Sequence, residues 1–146
     1  MTSTSFPRLR QVVLDGEDAR ALAEFYRRLL GLEYRAGDEP PPTGEPDPRG
    51  DDWLVLVSPD GRPQLAVQQV AELPRATWPE GPHAQMLHLD LTVDSAAELE
   101  LQHRRALGLG AVLLLDDSDD PEEPLYVYAD PAGHPFCIFV ADPGPR

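Results

Sequence analysis

The sequence predicts an α+β chain in which one unit, a strand, a helix and three further strands, occurs twice. Three observations carry that prediction. The first is a pair of turns: Asp130-Pro131-Ala132-Gly133-His134-Pro135 and Ser58-Pro59-Asp60-Gly61-Arg62-Pro63 place proline and glycine in step, 72 residues apart. In each turn proline presets φ at the first corner, and glycine tolerates the positive φ that closes it. The second is the strand before each turn, where Trp53 to Val57 superposes on Leu125 to Ala129 in the same register. The third is the start of each unit: Gln11 to Leu14 lies over His88 to Leu91, 77 residues on, and a helix follows both. Internal repetition on this scale implies two similar units packing to bury faces that neither could bury alone.

Taken in order, Leu9 to Leu14 reads as the first strand, with Leu9, Gln11 and Val13 on one face and Arg10, Val12 and Leu14 on the other. Asp18 can cap the helix that follows and Gly31 can end it. Between them Leu22, Phe25, Tyr26, Leu29 and Leu30 form one apolar face at helical spacing. Arg27 and Arg28 in the last turn suit the helix dipole. A short strand follows over Leu32 to Arg35. Glu39 to Gly50 holds five prolines and cannot keep a regular element; it is a solvated connector or a lid. Trp53 to Val57 and Gln64 to Val70 then pair across the Pro59-Asp60-Gly61 turn.

Ala71 to Gln85, broken by prolines at 74, 79 and 82, is the linker between units, with Trp78 as an anchor against one of them. Met86 to Val93 opens the second unit, with Leu87, Leu89, Leu91 and Val93 on one face and Met86, His88, Asp90 and Thr92 on the other. Ser95-Ala96-Ala97-Glu98 is a capping box, so a helix runs from there to about Leu107 and ends at Gly108 or Gly110. Ala111 to Leu115 is an apolar strand. The acidic run Asp116 to Glu123 lacks the glycine and glutamate a calcium loop needs and reads as solvated. The organisation is one domain over 1–146, with a first module at about 8–70, a linker at 71–85 and a second module at about 86–141.

The chain has 146 residues, a net charge of −14 and a pI near 4.4, which argues against nucleic acid or anionic membranes as partners. No apolar run approaches a membrane span, and Met1 to Pro7 lack the basic-then-apolar pattern of a signal peptide, so a cytoplasmic location is expected. Cys137 is the single cysteine, which excludes an intrachain disulfide and a zinc ribbon. All twelve basic residues are arginine, which removes lysine Schiff-base chemistry.

Three segments resemble the vicinal oxygen chelate superfamily of glyoxalases, extradiol dioxygenases, fosfomycin-resistance transferases and bleomycin-binding proteins. They are Gln11 to Leu14 with Ala23-Glu-Phe-Tyr-Arg-Arg-Leu-Leu-Gly-Leu32, Met86 to Asp94, and Asp130-Pro-Ala-Gly-His-Pro-Phe-Cys137. The resemblance is strongest to bacterial glyoxalase-like domains. It implies two βαβββ modules forming a cupped mixed sheet with the helices outside and a ligand in the concave face. It also implies metal-ligand positions at Gln11 and Leu65 in the first module and His88 and Cys137 in the second, Leu65 being placed as the repeat's twin of Cys137.

Leu65 cannot ligate, an amide such as Gln11 is a weak donor, and Cys137 stands where the enzymes carry a carboxylate. Two good donors remain where open catalytic sites take three, so no metal and no other cofactor is expected; zinc or Fe(II) at His88 and Cys137 is the chemical alternative. His88 and Asp90 share a strand face, on which Asp90 can orient the imidazole for hydrogen bonding or proton transfer, making them the candidate catalytic pair. The expected ligand-binding set is Gln11, Val13, Leu65, His88, Asp90, Cys137 and Phe139. His103 is expected at the edge of the core and His134 in local hydrogen bonds. The function expected is small-molecule binding without a catalytic metal, the alternative being a metal-dependent or histidine-based lyase, isomerase or dioxygenase. A homodimer is expected, because superfamily members often pair and strand edges need cover.

Overall fold

In the computed structural model, which describes residues 5–141, the repeat takes the form of two four-stranded mixed sheets, each carrying one helix. The first module contains β1 (Val12–Gly16), α1 (Ala19–Leu30), β2 (Glu33–Tyr34), β3 (Trp53–Val57) and β4 (Pro63–Gln69), in sheet order β1-β4-β3-β2. The second contains β5 (Leu89–Val93), α2 (Ala96–Leu109), β6 (Val112–Asp117), β7 (Leu125–Ala129) and β8 (Pro135–Val140), in the matching order β5-β8-β7-β6. In each sheet the first strand runs parallel to the last, and the other pairs are antiparallel. The architecture is the α+β, two-module one expected. Part of the Met1 to Pro7 reading, and both outer limits of the domain, fall outside the described residues. Among those described, no helix is long and apolar enough to cross a membrane.

Both helices begin and end where their capping residues dictate. The Asp18 side chain accepts a hydrogen bond from the Ala21 amide, and Gly31 closes α1 in the left-handed conformation. Ser95 accepts from the Glu98 amide, and Gly110, at φ 114° and the later of the two glycines expected to do so, ends α2 after Leu109. Gly108 sits inside the last turn, where a glycine weakens a helix without stopping it.

The helices cover one face of each sheet, and a single core runs through both modules. Leu14, Leu22, Tyr26, Leu54, Leu56 and Val67 from the first module join Leu99, Tyr128, Phe136 and Ile138 from the second. Phe25 and Tyr26 of α1 meet edge to face at 5.0 Å, and both pack against Phe136 of β8. On the same helix the Tyr26 hydroxyl donates to Asp130 Oδ2 at 2.7 Å. Asp130 Oδ1 in turn accepts from the Ala132 and His134 amides at 2.9 and 3.0 Å, which folds the Asp-Pro-Ala-Gly turn over a fully buried carboxyl. Burial pushes that carboxyl above the ordinary aspartate range, against the pull of these bonds. His134 does more than make local hydrogen bonds: its Nε2 donates 2.6 Å to the Asp15 carbonyl of β1, across the module junction.

The strand starts differ from expectation. β1 begins at Val12 and β5 at Leu89, so Leu9, Met86, Leu87 and His88 precede their strands, and Met86 is 98% exposed. The twin assigned to Cys137 is corrected as well. Val57 pairs with Pro63 but Leu56 pairs with Leu65, so Gln64 is an extra residue bulged out of β4. The second module has no such bulge, since Ala129 pairs with Pro135 and Tyr128 with Phe136. The 72-residue register of the turns therefore becomes 71 along the strands. Leu65 falls over Phe136 in the core, and Ala66 over Cys137.

The proline-rich connector is pinned to the helix side. Arg20 of α1 makes two bonds to Asp47, at 2.8 and 2.9 Å, and a third to the Asp38 carbonyl. The buried Asp38 carboxylate accepts from the Val55 amide and pairs with Arg35 and Arg49. Of the acidic run, Asp116 and Asp117 extend β6, and Asp120 caps the amides of Glu122 and Glu123 in the exposed loop that follows.

Replacing Tyr26 by Phe removes one hydrogen bond to Asp130 while keeping the ring. The expected loss is about 1–3 kcal/mol in urea unfolding, the scale of a buried acceptor deprived of a partner. Because Asp130 holds its proton to higher pH folded than unfolded, its contribution to stability is fully present below the unfolded value and falls as pH rises through the folded one. Asp130→Asn is expected to flatten the stability profile in that window.

Candidate ligand-binding site

On the sheet face turned away from the helices, alternation aligns Asp90 and Thr92 of β5, Leu125 and Val127 of β7, and Cys137 and Phe139 of β8. Asp90 pairs directly with Cys137 across the parallel β5–β8 ladder. The Cys137 thiol donates to Asp90 Oδ1 at 2.8 Å, and His88 Nε2 lies 3.0 Å from the same oxygen. His88 and Asp90 are half exposed, at 46% and 57%, while Cys137 is partly buried. Burial, reinforced by the hydrogen bond to the Asp90 carboxylate, pushes the thiol up to about 12. The group is therefore a protonated thiol at neutral pH.

The linker walls this face. Thr77 bridges to Ala84, its amide donating to the His83 carbonyl at 2.7 Å, and Gly81 closes the loop against the Thr77 side chain. Gly81 is at φ 140°, and a Cβ there would strike that side chain, so the loop depends on glycine. Arg75 ties the linker to the Asp130 turn through the Pro131 carbonyl at 3.0 Å. A niche of about 80 Å³ results, bounded by Trp78, Gln85, His88, Val127, Phe136 and Cys137. Gln85 and Pro135 also border a hollow of about 560 Å³ at the module junction, where Val13, Asp15, Leu73, Met86, Leu87 and His134 contribute. Gln85 Oε1 is buried in this arrangement and has no hydrogen-bond partner among the described residues.

Of the residues expected from sequence, His88, Asp90 and Cys137 come together, and Val13 reaches the adjoining hollow. Phe139 shares the Cys137 face one ladder pair further on, opposite Thr92, and does not border the niche. Gln11 lies in a separate hollow with Arg8, Arg10, Arg62 and Gln64, and Leu65 points into the core. None of residues 39–50 borders the niche or the junction hollow, so that connector does not cover them. Trp78, half-buried, borders the niche beside Val127, Phe136 and Cys137 of the second module. Sequence reasoning missed Gln85, because the linker has no periodicity to show which residues turn inward, and Asp15 and Val127, because alternation alone does not say which strand ends border a cavity.

The resemblance implies a metal, and the donors test it. The first-module counterparts of Asp90 and Cys137 in the sheet register are Val13 and Ala66, and neither can ligate. A site shared between modules does not fit. Within the second module, one nitrogen, one oxygen and one sulfur donor from His88, Asp90 and Cys137 lie within 4.8 Å of one another. That mixture suits a zinc-like ion and suits oxygen-seeking magnesium or manganese poorly.

Comparison with curated protein sequences gives no match. Solved structures share the fold at low identity. A glyoxalase/dioxygenase from Nostoc punctiforme is 22% identical with a TM-score of 0.65, covering 98% of this chain and 99% of that one. The fosfomycin resistance protein FosX from Listeria monocytogenes is 13% identical at 0.66, covering 97% of each chain. A glyoxalase/bleomycin resistance protein/dioxygenase from Nocardioides is 19% identical at 0.61, covering 99% of this chain and 90% of that one. The family model described as glyoxalase-like domain matches residues 11–139, nearly the whole chain, and the chain accordingly belongs to the glyoxalase-like family within the vicinal oxygen chelate superfamily.

Proposed function

We propose that this protein binds a small organic molecule at the module junction, its body in the apolar hollow and a polar end at His88, Asp90 and Gln85. The observation that carries the reading is that the niche and the larger hollow share Gln85 and Pro135 in their walls. Apolar walls with a few convergent polar groups are the usual make-up of a small-molecule site. Binding in this reading does not depend on a metal, since Val13 and Ala66 leave the first module without donors at the matching positions. A second reading, histidine-based proton transfer in a lyase or isomerase, is favoured by the His88–Asp90 contact at 3.0 Å. A cytoplasmic location belongs to the same proposal, supported by a lone, unpaired cysteine.

A thermal-shift screen of metabolites and aromatic drugs, followed by chemical-shift mapping, tests the site. Hits are expected to perturb Val13, Gln85, His88 and Cys137; hits confined to the outer helices would overturn the reading. Cys137→Trp is expected to fill the niche and block binding with the fold intact, and His88→Ala to weaken a polar ligand by about 1–3 kcal/mol.

The protonated thiol makes Cys137 a poor nucleophile. Its alkylation by iodoacetamide is expected to be slow at pH 8 and to rise only towards pH 12. Asp90→Asn removes the carboxylate that holds the proton, so the rise is expected to move to lower pH. An unshifted profile would show that Asp90 does not control the thiol.

We infer further that two copies pair along β6. All of Val112, Leu113, Leu114 and Leu115 are 38% to 53% exposed on this edge strand, an apolar edge of the kind that chains cover. Light scattering is expected to give a dimer, converted to monomer by Leu114→Glu. A concentration-independent monomer for the unaltered chain would count against it.

A further inference from the structure

We propose that Arg8, Arg10 and Arg62 form a separate binding site for the phosphate group of a small, hydroxyl-bearing phosphate monoester. The site is the hollow of about 780 Å³ where the chain enters β1 and β4. It shares no residue with the hollow at the module junction, so it stands whether or not that one holds a ligand. The fold brings the three arginines together from two places in the sequence. β1 and β4 run parallel, with Val12 opposite Leu65, so the stretch ahead of β1 lies beside the one leading into β4. Arg8 and Arg10 stand on the first stretch and Arg62 on the second. The chain carries 26 acidic residues against 12 basic ones, yet no acid lines this hollow.

Charge selects the ligand. Elsewhere arginines meet carboxylates: Arg20 pairs with Asp47, Arg27 and Arg28 with Glu24, and Arg35 and Arg49 with Asp38. Among the described residues Arg8 and Arg10 have no ion pair, and Arg62 has only Asp60, at 3.4 Å with both side chains exposed. Three guanidiniums and that one carboxylate leave two positive charges, which a phosphate dianion neutralises and a single carboxylate does not. Guanidinium forks match phosphate oxygens two at a time, and a concave wall concentrates their field. A second observation points to a ligand larger than the bare ion. Gln11, half-buried, borders the hollow, and its Oε1 lacks a hydrogen-bond partner among the described residues. The terminal torsion of glutamine is soft, so the amide turns to present that acceptor to a hydroxyl of the ligand. Gln64, bulged out of β4, adds an exposed amide to the same wall.

The test titrates the full chain with glycerol 1-phosphate by calorimetry, in about 0.01 M salt, and maps amide chemical shifts. One site is expected, with shifts at Arg8, Arg10, Gln11, Arg62 and Gln64 and none at His88 or Cys137. Affinity is expected to fall several-fold in about 0.1 M salt, as the screening length shortens from about 30 to about 10 Å. It is expected to rise from about pH 5 to about pH 7, because the phosphate gains its second charge near about pH 6 while guanidinium stays charged. A site built on histidine would lose affinity over that range. Arg10→Gln and Arg62→Gln are each expected to weaken binding about fivefold, and together at least about tenfold. Arg104→Gln, exposed on α2, changes the net charge equally and is expected to leave binding unchanged. Propyl phosphate, of the same length without hydroxyls, is expected to bind the native chain more weakly than glycerol 1-phosphate, and Gln11→Leu is expected to erase that preference. No binding, undiminished binding by the double variant, or an equal loss in Arg104→Gln would overturn the site. Inorganic phosphate bound as tightly as the ester would overturn the organic ligand.

Discussion

The Tyr26–Asp130 hydrogen bond ties the helix of one module to the organising turn of the other. Much of the remaining structure depends on that placement. The carboxyl lies fully buried, so every lone pair it presents needs a donor, and three are supplied: the Tyr26 hydroxyl and two amides of its own turn. Satisfying them fixes the turn that starts β8. It also seats the Phe25, Tyr26 and Phe136 rings and directs His134 to the Asp15 carbonyl. One buried acid thereby joins α1 of the first module to the turn that starts β8 of the second.

The same turn holds the linker. Arg75 reaches its carbonyls, and Gly133, in the left-handed conformation, leaves no Cβ to collide with the arginine stem. The linker then folds back, presenting Trp78 and Gln85 to the face that carries His88 and Cys137. A segment that looks like a spacer in sequence is thus a wall of the site. The proline-rich stretch, which looks more like a lid, is bound to α1 by Arg20 and Asp47 and stands apart from the site.

The modules are alike in topology and unlike in chemistry. The bulge at Gln64 moves β4 by one residue, so the first module offers Ala66 where the second offers Cys137, and β1 offers Val13 where β5 offers Asp90. The clustered His88, Asp90 and Cys137 belong to the second module, and the first contributes Val13, Leu14 and Asp15 to the hollow. His103 follows the same division: it stacks on Tyr126 at 3.9 Å and bonds the Tyr128 hydroxyl at 2.7 Å on the helix side, as a packing residue away from the hollow.

By itself the sequence determined the two-module architecture, both helices with their caps, and the grouping of His88 and Asp90 on one side of the second module. Those features rest on local rules: alternation along strands, apolar spacing on helices, and proline and glycine in turns. Only the tertiary structure decided which strand residues stand opposite one another, because ladder register depends on a bulge that no single residue type announces. That is why Leu65 went to the core, and why Asp90 came to stand directly opposite Cys137. The linker's inward residues and the long-range bond of His134 were likewise invisible, since segments without periodicity take their shape from the surfaces they cover.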